Sequence, residues 1–461
     1  AKFAIGPDVD NGFYYDIDFG NKKIGDTDLL EIEKKMKHII KQNLKFVKSE
    51  KNIDEAIKES KENNDIYKTE ILEELKKEGE KQVSFYGLGE FSDLCRGPHL
   101  ESTGKVKVGS FKLDKVAGAY WRGDEKNKML TRIYGLAFNS AEELKNYLEK
   151  MEEAKKRDHK KLGKELDLFS ISEKVGPGLI LWHPKLSKVR EAVESFWRQF
   201  HRQRGYDTVY TPHIGRSLLW ETSGHLGFFK DSMYAPMEVE GENYFVKPMN
   251  CPFHVEIYKA KPRSWRDFPL RWNELGSVYR YEKSGELNGM LRVRGMTQDD
   301  AHIICRRDQF TEEYREVLRF SFDMFKIFGF TELKGYLAVR DSKNIQNYMG
   351  DSEIWELAEK TIKEVVSEFD MPYEVEEGGA KFYGPALDIK AKDSLGREWQ
   401  LTTIQLDFNL PEKFDMTYRG SEKDERPIMI HRALLGSLER FFGILIEHYG
   451  GAFPLWMAPV Q

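Results

Sequence analysis

The stretch Pro269–Cys305 reads P-L-R-W-N-E-L-G-S-V-Y-R-Y-E-K-S-G-E-L-N-G-M-L-R-V-R-G-M-T-Q-D-D-A-H-I-I-C, two strand-like runs, 269–282 and 291–305, around a turn-rich middle. Alternate residues of a strand share a face. Arg280 and Glu282 therefore point the same way on the first run, and Gln298, Asp300 and His302 point together on the second. The segment Lys283-Ser284-Gly285-Glu286-Leu287-Asn288-Gly289 between them suits a hairpin. A face built for structure is apolar or randomly polar. One that carries Arg, Glu, Gln, Asp and His, flanked by Arg292 and Arg294, reads as a site rather than as a solvated hairpin of mixed charge.

Outward from this pair, a third long strand is expected at 398–408. A helix at about 185–204 presents Leu186, Val189, Val193, Phe196, Trp197 and Phe200 at helical spacing. Gly205 stops it, and a strand Tyr206–Tyr210 runs into Pro212. Turns, not regularly interleaved helices, separate the strands, so the class is α+β: an antiparallel sheet flanked by helices. Neither G-x-G-x-x-G after a strand nor G-x-x-x-x-G-K-[ST] occurs, which removes the two commonest nucleotide-binding signatures. Before Asp167 the texture differs. Residues 3–20 alternate through Phe13, Tyr15, Ile17 and Phe19 as strands do. Asp28, with Glu31 three residues on, resembles the start of an amphipathic helix through Ile32, Met36, Ile39, Ile40 and Leu44. Lys/Glu-rich, mostly helical sequence continues to about 82, strand material follows from Val83 to about Ala137, and a charged helix at about 140–166 reads as a connector.

Composition bounds the function. The 461 residues are 40% hydrophobic and 32% charged, with a net charge of −5, so bulk electrostatics advertise no nucleic-acid partner. The one basic cluster, Lys155, Lys156, Arg157, Lys160, Lys161 and Lys164, reads first as a solvated helix face. No apolar run approaches the roughly 18 residues that span a bilayer. Three cysteines, Cys95, Cys251 and Cys305, make no disulfide framework and point to a reducing, cytoplasmic setting.

Three further groups carry candidate chemistry. Cys251 in M-N-C-P-F-H (249–254), His302, and His431 at the start of an apolar helix 431–449 have no metal-ligand spacing. A lone cysteine is more often a small buried hydrophobe, yet one thiolate and two imidazoles would suit zinc with a fourth position open. Within that helix, Gly436, Ser437 and Arg440 gather away from the core face of Leu434, Leu438, Phe441, Phe442, Leu445 and Ile446. Arg440 could take a phosphate bidentately or serve as a surface ion-pair partner. Asp93-Leu94-Cys95-Arg96-Gly97-Pro98-His99 brings a cysteine and a histidine close together, a pairing open to metal, nucleophilic or merely structural use.

At these residues a family resemblance appears. The string Arg280–His302 resembles motif 2 of a class II aminoacyl-tRNA synthetase, specifically of the threonyl-tRNA synthetase family. M-N-C-P-F-H resembles the family's zinc-cysteine segment, I-H-R-A-L-L-G-S-L-E-R (430–440) its motif 3, and Y-D-T-V-Y-T-P (206–212) its motif 1. F-S-D-L-C-R-G-P-H (91–99) and G-A-Y-W-R-G-D (118–124) resemble its editing domain. The resemblance covers nearly the whole chain. It implies an editing domain at 1–139, incomplete at its N-terminus, a linker helix at 140–166, a class II catalytic core at 167–452, and the first strand of a C-terminal anticodon-binding domain at 453–461. The chain is accordingly expected to be cut at both ends.

The same resemblance implies roles. Cys251, His302 and His431 would hold one Zn²⁺ per subunit. Arg280 would bind the ATP α-phosphate and Arg440 the γ-phosphate, as the catalytic pair. Glu282 would face adenine, with Arg292 nearby and Mg²⁺ accompanying ATP. Asp300 would accept a hydrogen bond from the threonine hydroxyl. Met249, Gln298, Tyr383, Gln400, Gln405 and Ser437 would line the amino-acid and adenylate pocket. Lys68, Asp93, Cys95 and His99 would belong to the editing site. The implied partners are tRNA(Thr), ATP, L-threonine and a second copy of the chain, docked through the region ending at Pro212. Two departures stand out. No His-x-x-x-His occurs, so half of the family's editing set is absent and editing of Ser-tRNA is expected to be impaired. Ala386 follows F-Y-G-P where the family usually has lysine. A stand-alone deacylase of mischarged tRNA and an inactive tRNA-binding paralogue are the alternatives; retention of Arg280, Arg440 and all three candidate zinc ligands argues against both.

Overall fold

A computed structural model describes residues 1–349 and 352–460; Gln461, in the expected C-terminal strand, lies outside them. The chain forms two compact units, Ala1–Glu152 and Glu153–Gln461.

The larger unit is organised by one eight-stranded sheet. Its strands in chain order are β1 (Asp207–Thr208), β2 (Leu270–Tyr279), β3 (Gly295–Cys305), β4 (Leu333–Val339), β5 (Tyr373–Glu377), β6 (Ala386–Lys392), β7 (Glu398–Asp407) and β8 (Ile428–Ala433). The spatial order is β1-β2-β3-β8-β7-β6-β4-β5. Six central strands pair antiparallel, as the sequence implied, while β1 and β5 add at the two edges in parallel. The expected strand 206–210 is short, Asp207–Thr208; Val209 N–H still reaches Asn273 O at 3.0 Å, but the Thr211 N–H goes to the Glu274 carboxylate at 2.8 Å instead of to a strand.

Helices α1 (His159–Glu165), α2 (Pro184–Gln203), α3 (Cys251–Lys259), α4 (Phe310–Ile327), α5 (Ser352–Ser367) and α6 (Leu438–Tyr449) accompany the sheet. One face of β3 feeds the main core through Ala301, Ile303 and Cys305, against Val317, Phe320 and Met324 of α4 and Phe441, Phe442 and Leu445 of α6. Alternation sends Gln298, Asp300 and His302 to the other face. Cys305 is fully buried in that core, packed as a small hydrophobe.

Three local readings change. His431 does not begin a helix: it lies on β8, and α6 starts only at Leu438. Gly436, at φ +70°, ends the extended segment, and the Ser437 side chain accepts the Arg440 N–H at 3.2 Å to cap the helix. Residues 140–166 hold two helices, Ala141–Arg157 and α1, because Asp158 accepts the Lys160 and Lys161 amides at 2.8 and 3.2 Å and starts a new helix. Residues 453–460 form no strand; Leu455–Met457 is a 3-10 turn that buries Met457 in the main core.

The smaller unit contains a five-stranded antiparallel sheet built around Gly12–Asp18, Phe111–Tyr120 and Met129–Ala137. A second sheet joins Val47–Asn52, Gln82–Leu88 and Phe91–Leu94, so the expected helical stretch to residue 82 is interrupted by a strand. Helix Asp26–Lys41 has its N-cap at Gly25, three residues before the expected Asp28; Asp28 instead stands in the first turn and accepts the Gly25 N–H at 2.9 Å. No helix among the described residues is long and apolar enough to cross a membrane.

Candidate active site

Strand register assembles the site. His302 on β3 stands opposite Trp272 on β2 and His431 on β8; His431 in turn stands opposite Gln405 on β7, which faces Ala386 on β6. One row across five strands therefore carries both histidines and Gln405, with the departure at Ala386 at its end. Cys251, at the first position of α3, completes a triad whose ligand atoms lie within 4.8 Å of one another.

The triad fits a metal in its donor chemistry and in its support. His302 Nε2 and His431 Nδ1 approach to 2.9 Å, and each ring has its other nitrogen engaged: His431 Nε2 with Asp407 Oδ2 at 2.9 Å, His302 Nδ1 with His254 Nδ1 at 2.7 Å. Outer-shell partners of this kind fix which nitrogen faces a metal. Burial, with His431 and His254 beside it, holds His302 well below the usual imidazole range, whereas against burial Cys251 and Asp407 hold His431 well above it. Burial also raises the Cys251 thiol, against the opposing pull of His431.

A cavity of about 650 Å³ opens over this row. Met249, Cys251, Arg280, Glu282, Arg292, Gln298, Asp300, Tyr383, Gln400, Gln405, His431, Ser437 and Arg440 all line it, so sequence-predicted residues spread over some 190 positions meet at one place. His302 lies fully buried beneath. Arg280 and Glu282 sit just beyond the end of β2, where Arg280 N–H still bonds Arg294 O at 2.8 Å. The loop is thus a wide arch over 280–294 rather than a tight hairpin. Arg292 donates to Glu282 Oε2 at 2.9 and 3.0 Å. Arg440 reaches the same arch through Leu291 O at 3.4 Å, and burial depresses both it and Arg280 below the usual guanidinium range.

Five buried atoms on residues that line the cavity, Gln298 Oε1, Gln405 Nε2, Asn409 Oδ1 and Arg432 Nε and Nη2, have no hydrogen-bond partner among the described residues. Leaving an acceptor or a donor unsatisfied costs about 1–3 kcal/mol each, so the wall is shaped for a polar ligand. Asp300, 4% exposed, accepts from Asn250 Nδ2 at 3.0 Å. Asn250 fits there because residue 276 is glycine: a Cβ at Gly276 would sit 2.4–2.6 Å from the Asn250 amide.

Sequence reasoning missed Asn250, whose only signal was its place between Met249 and Cys251. It also missed His225, which lines the cavity, contacts Met249 Sδ through Nε2 at 3.2 Å, and is pushed down to about pKa 4 by burial. Behind Arg440, Glu439 is buried and accepts the Thr297 N–H at 2.8 Å; burial raises its carboxyl to about 7. A folded pKa above the unfolded value means that the native state holds a proton between about pH 4.5 and 7 that the unfolded chain has lost. This contribution to stability therefore falls as pH rises through that window. Glu439→Gln lacks the titration. In urea unfolding, its stability relative to wild type is expected to grow by about 2 kcal/mol from pH 5.5 to 7; a pH-independent difference contradicts this account.

The smaller unit holds a separate cavity of about 930 Å³, lined by Lys68, Asp93, Cys95 and His99. Lys68 Nζ pairs with Asp93 Oδ1 at 2.8 Å. His99 stacks on Phe46, with ring centroids 5.1 Å apart, and meets Tyr86 edge-on. Tyr15 also lines this cavity and donates its hydroxyl to Asp93. Its place in the alternating run 13–19 had marked it only as a strand residue.

Comparison with known proteins matches a family domain within each unit. Residues 234–449 match the class II core domain of tRNA synthetases (G, H, P, S and T), and residues 83–134 match the second additional domain of threonyl and alanyl tRNA synthetases. The whole chain is 54% identical to the threonine–tRNA ligase of Borrelia hermsii (strain HS1 / DAH), spanning 78% of that protein. It is 53% identical to the threonine–tRNA ligase of Sulfurihydrogenibium sp. (strain YO3AOP1), spanning 71% of its length. The crystal structure of the RNA binding domain of threonyl-tRNA synthetase from Cryptosporidium parvum Iowa II is similar with a TM-score of 0.63 at 38% identity, covering 66% of this chain and 75% of that one. With a class II core, an additional domain of the threonyl and alanyl type and full-length identity above half, the chain belongs to the threonine–tRNA ligase family of class II aminoacyl-tRNA synthetases.

Proposed function

We propose that the chain activates L-threonine with ATP and transfers it to the 3′ end of tRNA(Thr). The observation that carries this reading is the convergence of two half-buried arginines, an arginine-braced arch and two unpartnered glutamine atoms on one cavity over the Cys251–His302–His431 triad. In the first step a threonine carboxylate oxygen attacks the α-phosphorus of ATP and pyrophosphate leaves. In the second, a hydroxyl of the terminal tRNA nucleotide attacks the adenylate carbonyl and AMP leaves. Arg280 holds the α-phosphate and the charge that develops there, while Arg440 clamps the γ-phosphate. Glu282 faces adenine, braced by Arg292, and Mg²⁺ enters with ATP. Positioned charge supplies most of the rate in such chemistry.

Threonine is selected by its side chain. Cys251, His302 and His431 would hold one Zn²⁺ per subunit, which when bound would offer an open position to the substrate amino and hydroxyl groups. Asp300, fixed by Asn250, accepts the threonine hydroxyl. Met249, Gln298, Tyr383, Gln400, Gln405 and Ser437 enclose the rest of the adenylate. Valine, which lacks the hydroxyl, leaves Asp300 unpaired, and sites built this way reject such analogues by about 10⁴–10⁵-fold. Serine lacks only a methyl, worth about 1–3 kcal/mol, so a hydrolytic second site follows from the arithmetic. Incubation with ATP and threonine, followed by gel filtration, should yield enzyme-bound threonyl-adenylate; recovery of equal valyl-adenylate contradicts the reading.

We assign residues 1–139 to editing, 140–166 to the linker and 167–452 to aminoacylation, with a homodimer formed through the segment ending at Pro212. Lys68, Asp93, Cys95 and His99 supply part of an editing site, and no His-x-x-x-His accompanies them. Deacylation of Ser-tRNA(Thr) by this chain is expected to stay near the spontaneous rate; rapid, enzyme-dependent release of serine would overturn this assignment.

A further inference from the structure

Behind His302 runs a line of buried polar groups that neither substrate nor metal would touch. His302 Nδ1 meets His254 Nδ1 at 2.7 Å, and His254 Nε2 meets Glu274 Oε2 at 3.2 Å. Glu274 accepts from the Thr211 N–H at 2.8 Å and from the Thr211 hydroxyl at 2.8 Å. Lys247 Nζ donates to Thr211 Oγ1 at 2.6 Å and lies 3.7 Å from Glu274. His254 and His302 are fully buried, as is Lys247, and Glu274 is 3% exposed.

We infer that His254 and Glu274 are positioning residues that set the tautomer and orientation of His302, and that Thr211 anchors them to the segment 206–212. The inference rests on the zinc reading of Cys251, His302 and His431. Two facing ring nitrogens at 2.7 Å share one proton: two lone pairs would repel, and so would two N–H groups. In one assignment His302 donates from Nδ1, His254 accepts at Nδ1 and donates from Nε2 to the Glu274 carboxylate. Every group is then satisfied with both rings neutral, and His302 Nε2 keeps its lone pair toward Cys251 and His431. In the opposite assignment His254 turns a lone pair on the carboxylate, and His302 carries its proton on the nitrogen that faces the triad. An ionised carboxylate accepts but cannot donate, so Glu274 selects the first assignment at a distance of one imidazole. Its own place is fixed by the two Thr211 donors and the Lys247 ammonium. His431 has Asp407 on its Nε2, and its Nδ1, which meets His302 Nε2 at 2.9 Å, would give up the proton shared across that contact when both nitrogens turn lone pairs to a bound metal.

The test is zinc affinity of the full chain, measured by competition with a chromogenic chelator, with the Co²⁺ absorption spectrum as a second readout. Wild type is expected to bind one zinc per chain. His254→Leu, which fills space but can neither accept nor donate, should bind about 10–100-fold more weakly and shift the Co²⁺ bands. His254→Gln offers one acceptor and one donor and should recover most of that loss. Should His254→Leu not fold, Thr211→Val, at the far end of the line, should still weaken zinc about fivefold. Wild-type affinity and spectrum in His254→Leu would overturn the inference, as would equal losses in the Leu and Gln variants. Unchanged affinity in Thr211→Val would cut the link to 206–212. A wild-type chain that binds no zinc would instead remove the zinc reading itself, a separable result.

Discussion

Arg280→Ala is expected to lower threonine-dependent ATP–pyrophosphate exchange by about 10²–10³-fold in kcat, the usual cost of removing one group aimed at developing charge. The half-buried guanidinium lines the cavity, yet its only side-chain hydrogen bond among those described is Nε to Pro248 O at 3.2 Å, with the Phe229 ring centre 5.7 Å from it. Burial pulls it below its ordinary range, against the favourable fields of Cys251, Glu282 and Asp300. Such a charge is a poor stabiliser, since desolvation outweighs what it receives. A guanidinium kept for stability would lower the melting temperature when removed. One kept for phosphate would leave that temperature unchanged or raised while the rate collapses. Arg280→Lys keeps the charge but loses the planar fork, and an intermediate rate is expected. A modest, equal loss in stability and rate for Arg280→Ala would place the residue in the scaffold.

The second large effect concerns choice of amino acid. Asp300→Ala is expected to cut kcat/KM for threonine by about 10²-fold, in line with a buried hydrogen bond to a charged group, while valine activation rises because no buried carboxylate is left unpaired. The preference for threonine should shrink by more than the loss on threonine alone. The geometry behind this is specific: Asn250 holds one Asp300 oxygen at 3.0 Å, and Gly276 leaves room for Asn250. Steady-state exchange with both amino acids measures it; equal losses for threonine and valine would mean that Asp300 shapes the pocket without reading the hydroxyl.

Much of this was legible because β-strand periodicity is local. Gln298, Asp300 and His302 announce a shared polar face at spacing two, while Ala301, Ile303 and Cys305 announce the buried one. What separates strands in sequence was not legible. His302 and His431 are neighbours only through the β3–β8 register, and His431 looked helical because the apolar spacing of α6 extends back through Leu434 and Leu435, past the Gly436–Ser437 break that ends the extended segment and caps the helix. The parallel edge strands, the break at Asp158 and the niche that Gly276 makes for Asn250 each depend on a partner or a cap that periodicity does not encode. Tyr15 and His225 were hidden for the same reason, each being one aromatic among many until the cavities gave it a neighbour.

The measurement closest to the central claim is ATP–pyrophosphate exchange with threonine, serine and valine on the full chain, before and after zinc removal by a chelator, with metal content measured alongside. Threonine should support exchange, serine should follow about 10–200-fold behind, and valine should give no signal above background; chelation should abolish the exchange and added zinc should restore it. Exchange with valine at the threonine rate, or full threonine exchange in protein shown to be zinc-free, would contradict the account.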